Sequence, residues 1–183
     1  MKFFEDLNPG DRRELGSHTF AADEIKAFAR KYDPQLFHLD EEEAARSHFG
    51  RLCASGWHTA AVCMRLNVLS NRADDEARRA RGEPVARSGP SPGVRDLRWI
   101  KPVYVGDTIT YASQVKETRP VSRPGYGLVV HETTGTNQNG ELVYDAELVG
   151  FNKLRDYRMP LRIRLAMALT RVPGLNKLLA RSS

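Results

Sequence analysis

Phe28-Ala29-Arg30-Lys31-Tyr32-Asp33-Pro34-Gln35-Leu36-Phe37-His38-Leu39 is the stretch around which the rest of the chain is read. Ile25, Phe28 and Ala29 fall at helical spacing, so a helix runs into this stretch and ends before Pro34. Proline disfavours helical geometry at the residue before it, which makes Asp33 a natural terminator. Asp33 and His38 then lie five residues apart on an irregular segment. A carboxylate and an imidazole so placed can turn toward one point, which the same spacing on a regular strand or helix face does not allow. They form a candidate acid–base pair for proton-transfer chemistry.

Upstream, Asn8-Pro9-Gly10-Asp11 marks a turn, Leu15 to Phe20 is a short strand, and Asp23 is the expected N-cap of the helix through Tyr32. Downstream, Asp40-Glu41-Glu42-Glu43 opens a short helix. Acids in a first turn are favoured by the helix dipole, and no second ligand cluster accompanies them, so no metal site is read there. Cys53-Ala54-Ser55-Gly56 leads into a second long helix, from Trp57 to about Ser70. Its small residues suit a helix closely embraced by other backbone, and its start is apolar nearly all round, as in a buried central helix. Residues 71–93 turn charged and then rich in Pro, Gly and Ser, the pattern of a fraying helix end and a loop.

From Val94 to Asn152 the chain reads as antiparallel strands: 96–101, 108–117, 127–136 and 141–151, with turns at Gly106-Asp107 and Asn139-Gly140. Ile109, Tyr111, Ser113 and Val115 share one face. Helices followed by a meander of long strands give an α+β class.

The 183 residues suffice for one domain with a full core, residues 1–154, followed by an extension, 155–183. No apolar run approaches the length of a membrane span, and the first residues lack the apolar core of a secretory signal. Cys53 and Cys63, in one helical region, are read as reduced core thiols and the location as cytoplasmic. The net charge of +5 hides an asymmetry, because residues 155–183 alone carry +6 and the first 154 carry −1. A near-neutral body argues against a nucleic-acid-binding core. Residues 159–181 form a basic amphipathic segment for which three readings stay open. They are packing on the domain or a sister subunit, contact with an anionic membrane surface, and binding of a partner protein.

Three stretches in order resemble one family. Phe28 to Asp40 is similar to the hydratase motif of the MaoC-like dehydratases and R-specific enoyl-CoA hydratases. Phe49 to Gly56 resembles that family's lead into its central helix, and Leu97 to Ile109 its strand–turn–strand. The resemblance covers about residues 3–153. It implies a hotdog fold, in which an antiparallel sheet wraps a central helix, and a homodimer with an acyl-CoA tunnel near the subunit boundary.

The implied activity is reversible addition of water to a trans-2-enoyl thioester, giving a 3-hydroxyacyl thioester. Coenzyme A enters as part of the substrate, and no separate cofactor or metal is called for. Asp33 then accepts a proton from water, while His38 orients the water and helps the proton reach the α-carbon. Gly56, at a helix start where backbone N–H groups are unpaired, is the third catalytic candidate, stabilising charge on the thioester oxygen. Tight packing against the sheet is an alternative reason for a glycine there. Ser55, Trp57 and Phe37 flank these three as substrate-contact candidates. Ser55 stands where family members often carry His, and Pro34 and Leu36-Phe37 replace the family's usual Asn and Pro before His38.

An acyl-CoA thioesterase on the same fold, or a non-catalytic acyl-CoA-binding protein, are the alternatives, since fold alone does not choose among them. No G-x-G-x-x-G or P-loop occurs. His58 is read as a polar residue on the helix, His131 as a surface or dimer-face residue, and Trp57 and Trp99 as more often core than ligand platform.

Overall fold

The computed structural model describes residues 1–87, 89–158 and 160–161. Strand β1 (Arg12–Thr19) is followed by helix α1 (Ala22–Tyr32), a 3-10 turn (Leu36–His38) and a short helix α2 (Glu41–Arg46). Helix α3 (Gly56–Ala80) comes next, then β2 (Gly93–Trp99), β3 (Thr108–Pro120), β4 (Tyr126–Thr136) and β5 (Leu142–Lys153). The five strands form one sheet in the order β1-β3-β4-β5-β2, and every neighbouring pair is antiparallel. A long helix lies against its inner face, as the hotdog architecture requires.

The inner face of β3 is the expected one. Ile109, Tyr111, Ser113 and Val115 are all buried. Tyr111 is fully enclosed and its hydroxyl donates to the Thr59 carbonyl of α3 at 3.0 Å, tying the sheet to the helix. Phe20, Ile25, Val62, Cys63 and Val143 complete that core. Burying each such large apolar side chain contributes roughly 1.5–3 kcal/mol.

Several local expectations need correction. Helix α3 runs ten residues past Ser70. Its last turns are polar all round, but Asp74–Arg78 and Asp75–Arg79 pairs at i,i+4 support them. Asp23 does not cap α1: the N-cap is Ala21, without a side-chain bond, and Asp23 sits in the first turn, where it still meets the positive helix end. Asp40 does cap α2, its carboxylate accepting from the Glu42 and Glu43 N–H groups. Strand β1 starts three residues early, at Arg12. Cys53 lies outside α3, in an isolated bridge to Tyr104, while Cys63 is within it; both are buried free thiols.

Among the described residues no helix is long and apolar enough to cross a membrane. Of the basic segment 159–181 only Pro160 and Leu161 lie within the described residues.

Candidate active site

The end of α1 and the start of α3 meet at one point, and that meeting makes the site. Asp33, the residue after α1, bends away from the helix at φ −153°, ψ 70°. Its carboxylate is held from two sides. Ser55 donates from Oγ to Oδ2 at 2.6 Å, and Gln35 donates from Nε2 to Oδ1 at 2.8 Å. Ser55 is also the N-cap of α3, its oxygen accepting the Trp57 N–H at 3.2 Å. One hydroxyl therefore caps the helix and fixes the carboxylate. Burial alone raises the pKa of Asp33, but the Ser55 and Gln35 bonds and the nearby His38 outweigh it and hold the carboxyl below its ordinary value.

His38 is buried at the end of the 3-10 turn. Its Nδ1 lies 2.8 Å from the Cys53 carbonyl oxygen, which only accepts, so Nδ1 carries the proton. Nε2 is thereby turned toward Asp33, 3.5 Å from Oδ2. The pairing expected from five-residue spacing is realised, and the Cys53 carbonyl that sets its tautomer is a partner no sequence pattern announces. The Cys53 thiol stands 3.7 Å from the same Nδ1, and burial pushes its pKa up to about 11, leaving it a protonated neighbour.

Both side chains open into a cavity of about 380 Å³ whose walls are mainly apolar and aromatic, with Phe37, Phe49, Trp57, Trp99 and Val103 among them. Gly56, the first residue of α3, lines it as well. Ser55 stands behind Asp33 and does not line the cavity, so it acts through the carboxylate.

The two tryptophans are not core: Trp57 is 56% and Trp99 45% exposed, and their rings meet edge to face, 5.1 Å apart, at the cavity wall. The Trp99 indole packs directly on Gly56, in the space a Cβ there would occupy. The close-packing reading of Gly56 holds, with a β2 indole as the packing partner, and the residue also stands at the cavity wall at the start of α3. Trp99, brought from β2, is the site residue that sequence reasoning missed.

His58 and His131 do not line this cavity. His58 is buried, stacked on Phe28 at 4.5 Å with Nε2 3.4 Å from Glu24, and so is packed between helices and not displayed on one. His131 is half-buried toward α3, not on an outer surface. Among the described residues no group of three or more His, Cys, Asp and Glu is arranged to hold a metal ion.

The model of the MaoC like domain matches residues 7–137, most of the chain and all of the site. The chain belongs to the MaoC-like family. A MaoC-like dehydratase from Rhodospirillum rubrum is 39% identical, with a TM-score of 0.71 over 88% of this chain and 100% of that one. The (R)-hydratase of A. caviae involved in PHA biosynthesis is 26% identical, with a TM-score of 0.59 over 82% of this chain and 99% of its own. The uncharacterized protein YdeM of Bacillus subtilis is 29% identical over 126 residues, 69% of this chain and 81% of YdeM. A Mycobacterium tuberculosis protein described as a double hotdog fold matches at 18% identity and a TM-score of 0.66, a likeness of fold alone.

Proposed function

We propose that this MaoC-like protein hydrates a trans-2-enoyl thioester to a 3-hydroxyacyl thioester, and runs the reverse dehydration, through Asp33 and His38. The observation that carries the reading is the 3.5 Å approach of Asp33 Oδ2 and His38 Nε2 in an apolar cavity at the start of α3. With Nδ1 protonated, a neutral His38 presents a lone pair to a carboxylate oxygen. Two acceptors at that separation are bridged by one water, which donates an O–H to each and keeps a lone pair for the β-carbon.

Attack forms the O–Cβ bond and moves the C=C electron pair toward the thioester oxygen. The Asp33–His38 pair takes the water's proton and returns it to the α-carbon, ending as it began. The two groups act as a coupled pair, with Asp33 ionised at neutral pH. Gly56 stabilises the developing negative charge through its N–H at the positive end of α3. Losing such a donor typically costs about a hundred- to a thousandfold in rate. Ser55 is a positioning residue, while Phe37 and Trp57 contact the acyl portion.

The geometry favours a lyase over a thioesterase. Ser55 is committed to Asp33 and to the helix cap, and His38 to the Cys53 carbonyl, so no serine–histidine nucleophile is assembled. We further propose a homodimer. Val94 and Trp99 on the edge strand β2, with Trp57, Met64 and Val68 on α3, are exposed large apolar side chains of the kind a second copy covers. The cavity shares Trp57 and Trp99 with that surface. Acyl-CoA is the proposed substrate, the location is proposed as cytoplasmic, and residues 159–181 as a membrane or protein contact.

The test offers crotonyl-CoA to the purified protein while enoyl absorbance and free thiol are followed together. Loss of absorbance without thiol release supports the lyase, and thiol release supports the hydrolase. Neither signal, with tight acyl-CoA binding, indicates a non-catalytic binder.

A further inference from the structure

Under the second half of α3 the inner face of the sheet turns polar. Arg13 from β1, Ser113 from β3 and His131 from β4 face Asn71 and Asp74 of α3 across a cavity of about 310 Å³. No residue lines both this cavity and the one holding Asp33 and His38. The register sets Arg13 opposite Ser113, and Val115 opposite His131, so the three polar side chains stand on consecutive strands beneath one helix. A stretch that would otherwise be core is built instead as a small-molecule-sized polar chamber.

The Ser113 hydroxyl and the His131 imidazole have no hydrogen-bond partner among the described residues, and both open to the cavity instead of being sealed from it. The charges are likewise unbalanced. Asp11 is engaged by Lys2 at 3.4 Å, Asp74 by Arg78 at 2.9 Å, and Asp75 by the terminal amine and Arg79. Arg13 donates to the neutral Asn67 Oδ1 at 2.6 Å and has no carboxylate within 4.0 Å among the described residues. Burial lowers the pKa of Arg13 and carries that of His131 down to about 4. Arg13 is therefore a half-buried cation without a carboxylate partner, with Arg12 on the rim of the same lining, beside an uncharged imidazole and an uncommitted hydroxyl.

The geometry points to a second binding site, for a small carboxylate-bearing molecule whose oxyanion seats on Arg13 and takes further hydrogen bonds from Ser113 and His131. The planar guanidinium fork matches a carboxylate in two parallel bonds. Asp11 and Asp74 on the same lining disfavour a dianion, which selects a monoanion. This site is independent of the acid–base reading, and it stands if that reading fails.

The experiment titrates acetate and lactate, with inorganic phosphate as comparison, into the full chain while the imidazole resonances of His131 are followed by NMR. The carboxylates produce a saturable shift and raise the pKa of His131, because an anion beside the ring favours the imidazolium. Arg13→Gln weakens saturation at least tenfold, the loss expected for a hydrogen bond to a charged group. Should Arg13→Gln fail to fold, Ser113→Val, which keeps the charge, weakens it severalfold. No saturable shift, equal saturation in the variants, or tighter binding of phosphate than of the carboxylates overturns the proposal.

Discussion

Ser55→Ala is the perturbation that tests how the site is held together. The substitution removes two bonds made by one oxygen. The first is the α3 cap to the Trp57 N–H, at 3.2 Å. Losing an N-cap serine typically costs about 1 kcal/mol. The second is the 2.6 Å bond to the Asp33 carboxylate. A hydrogen bond to a charged group contributes roughly 1.5–3 kcal/mol. The Asp33 side chain keeps 18% of its exposure and can rehydrate in part, which favours the lower end of that range. The variant should thus lose about 2–3 kcal/mol at neutral pH, read as a lower urea midpoint at unchanged slope.

The same change removes the first of the bonds that oppose the burial of Asp33, so its pKa rises, as ¹³C NMR of the carboxyl would report. A double-mutant cycle with Asp33→Asn separates the two bonds, because the cap survives in the Asn single variant. The cycle should return a coupling energy of about 1–2 kcal/mol between positions 33 and 55. A coupling near zero, or an Asp33 pKa that stays put in Ser55→Ala, would refute the reasoning.

Gly56→Ala puts a methyl group where the Trp99 indole packs. It should lower turnover by an order of magnitude or more while moving Trp99 fluorescence, and Trp99→Ala should restore part of the loss, whereas equal rates for wild type and variant would argue against Gly56 in the site. His38→Gln should cost about a hundred- to ten-thousandfold in crotonyl-CoA hydration, the usual worth of a general acid–base group. His131 gives a stability prediction with a defined sign. Its folded pKa is depressed to about 4 from 6.5, so as pH falls through that window the unfolded chain takes up a proton that the folded one refuses. Stability should fall between pH 6.5 and 4, by up to about 3 kcal/mol from this group, and thermal melts of His131→Gln should show a shallower decline.

What could be read in advance was whatever depends on neighbours in sequence. Pro34 ends α1 at Asp33, and the spacing to His38 lets a single irregular turn bring the two together. The alternation at Ile109, Tyr111, Ser113 and Val115 named the inner face of β3. Features set by distant partners were not legible. The extension of α3 past Ser70 is the exception among the features missed, since its Asp74–Arg78 and Asp75–Arg79 pairs are local and stood in the sequence to be read. The approach of Trp99 to Gly56 depends on where β2 returns beside α3. Trp99 looked like core because large aromatics usually are, and it lines the cavity beside Trp57, the substrate-contact candidate. His131 was read as a surface or dimer-face residue because a polar residue in a strand usually faces outward. The polar chamber under α3 reverses that rule, and only the register across three strands reveals it.

The account turns on Asp33 and His38 sharing one water. The most direct measurement is the rate of enoyl absorbance loss from crotonyl-CoA with wild type and Asp33→Asn, each first shown to be folded and to bind acyl-CoA equally. Asn keeps the shape of the side chain and cannot take the proton, so the rate should fall by about a hundredfold or more with binding unchanged. Hydration at the wild-type rate by Asp33→Asn would contradict the mechanism outright.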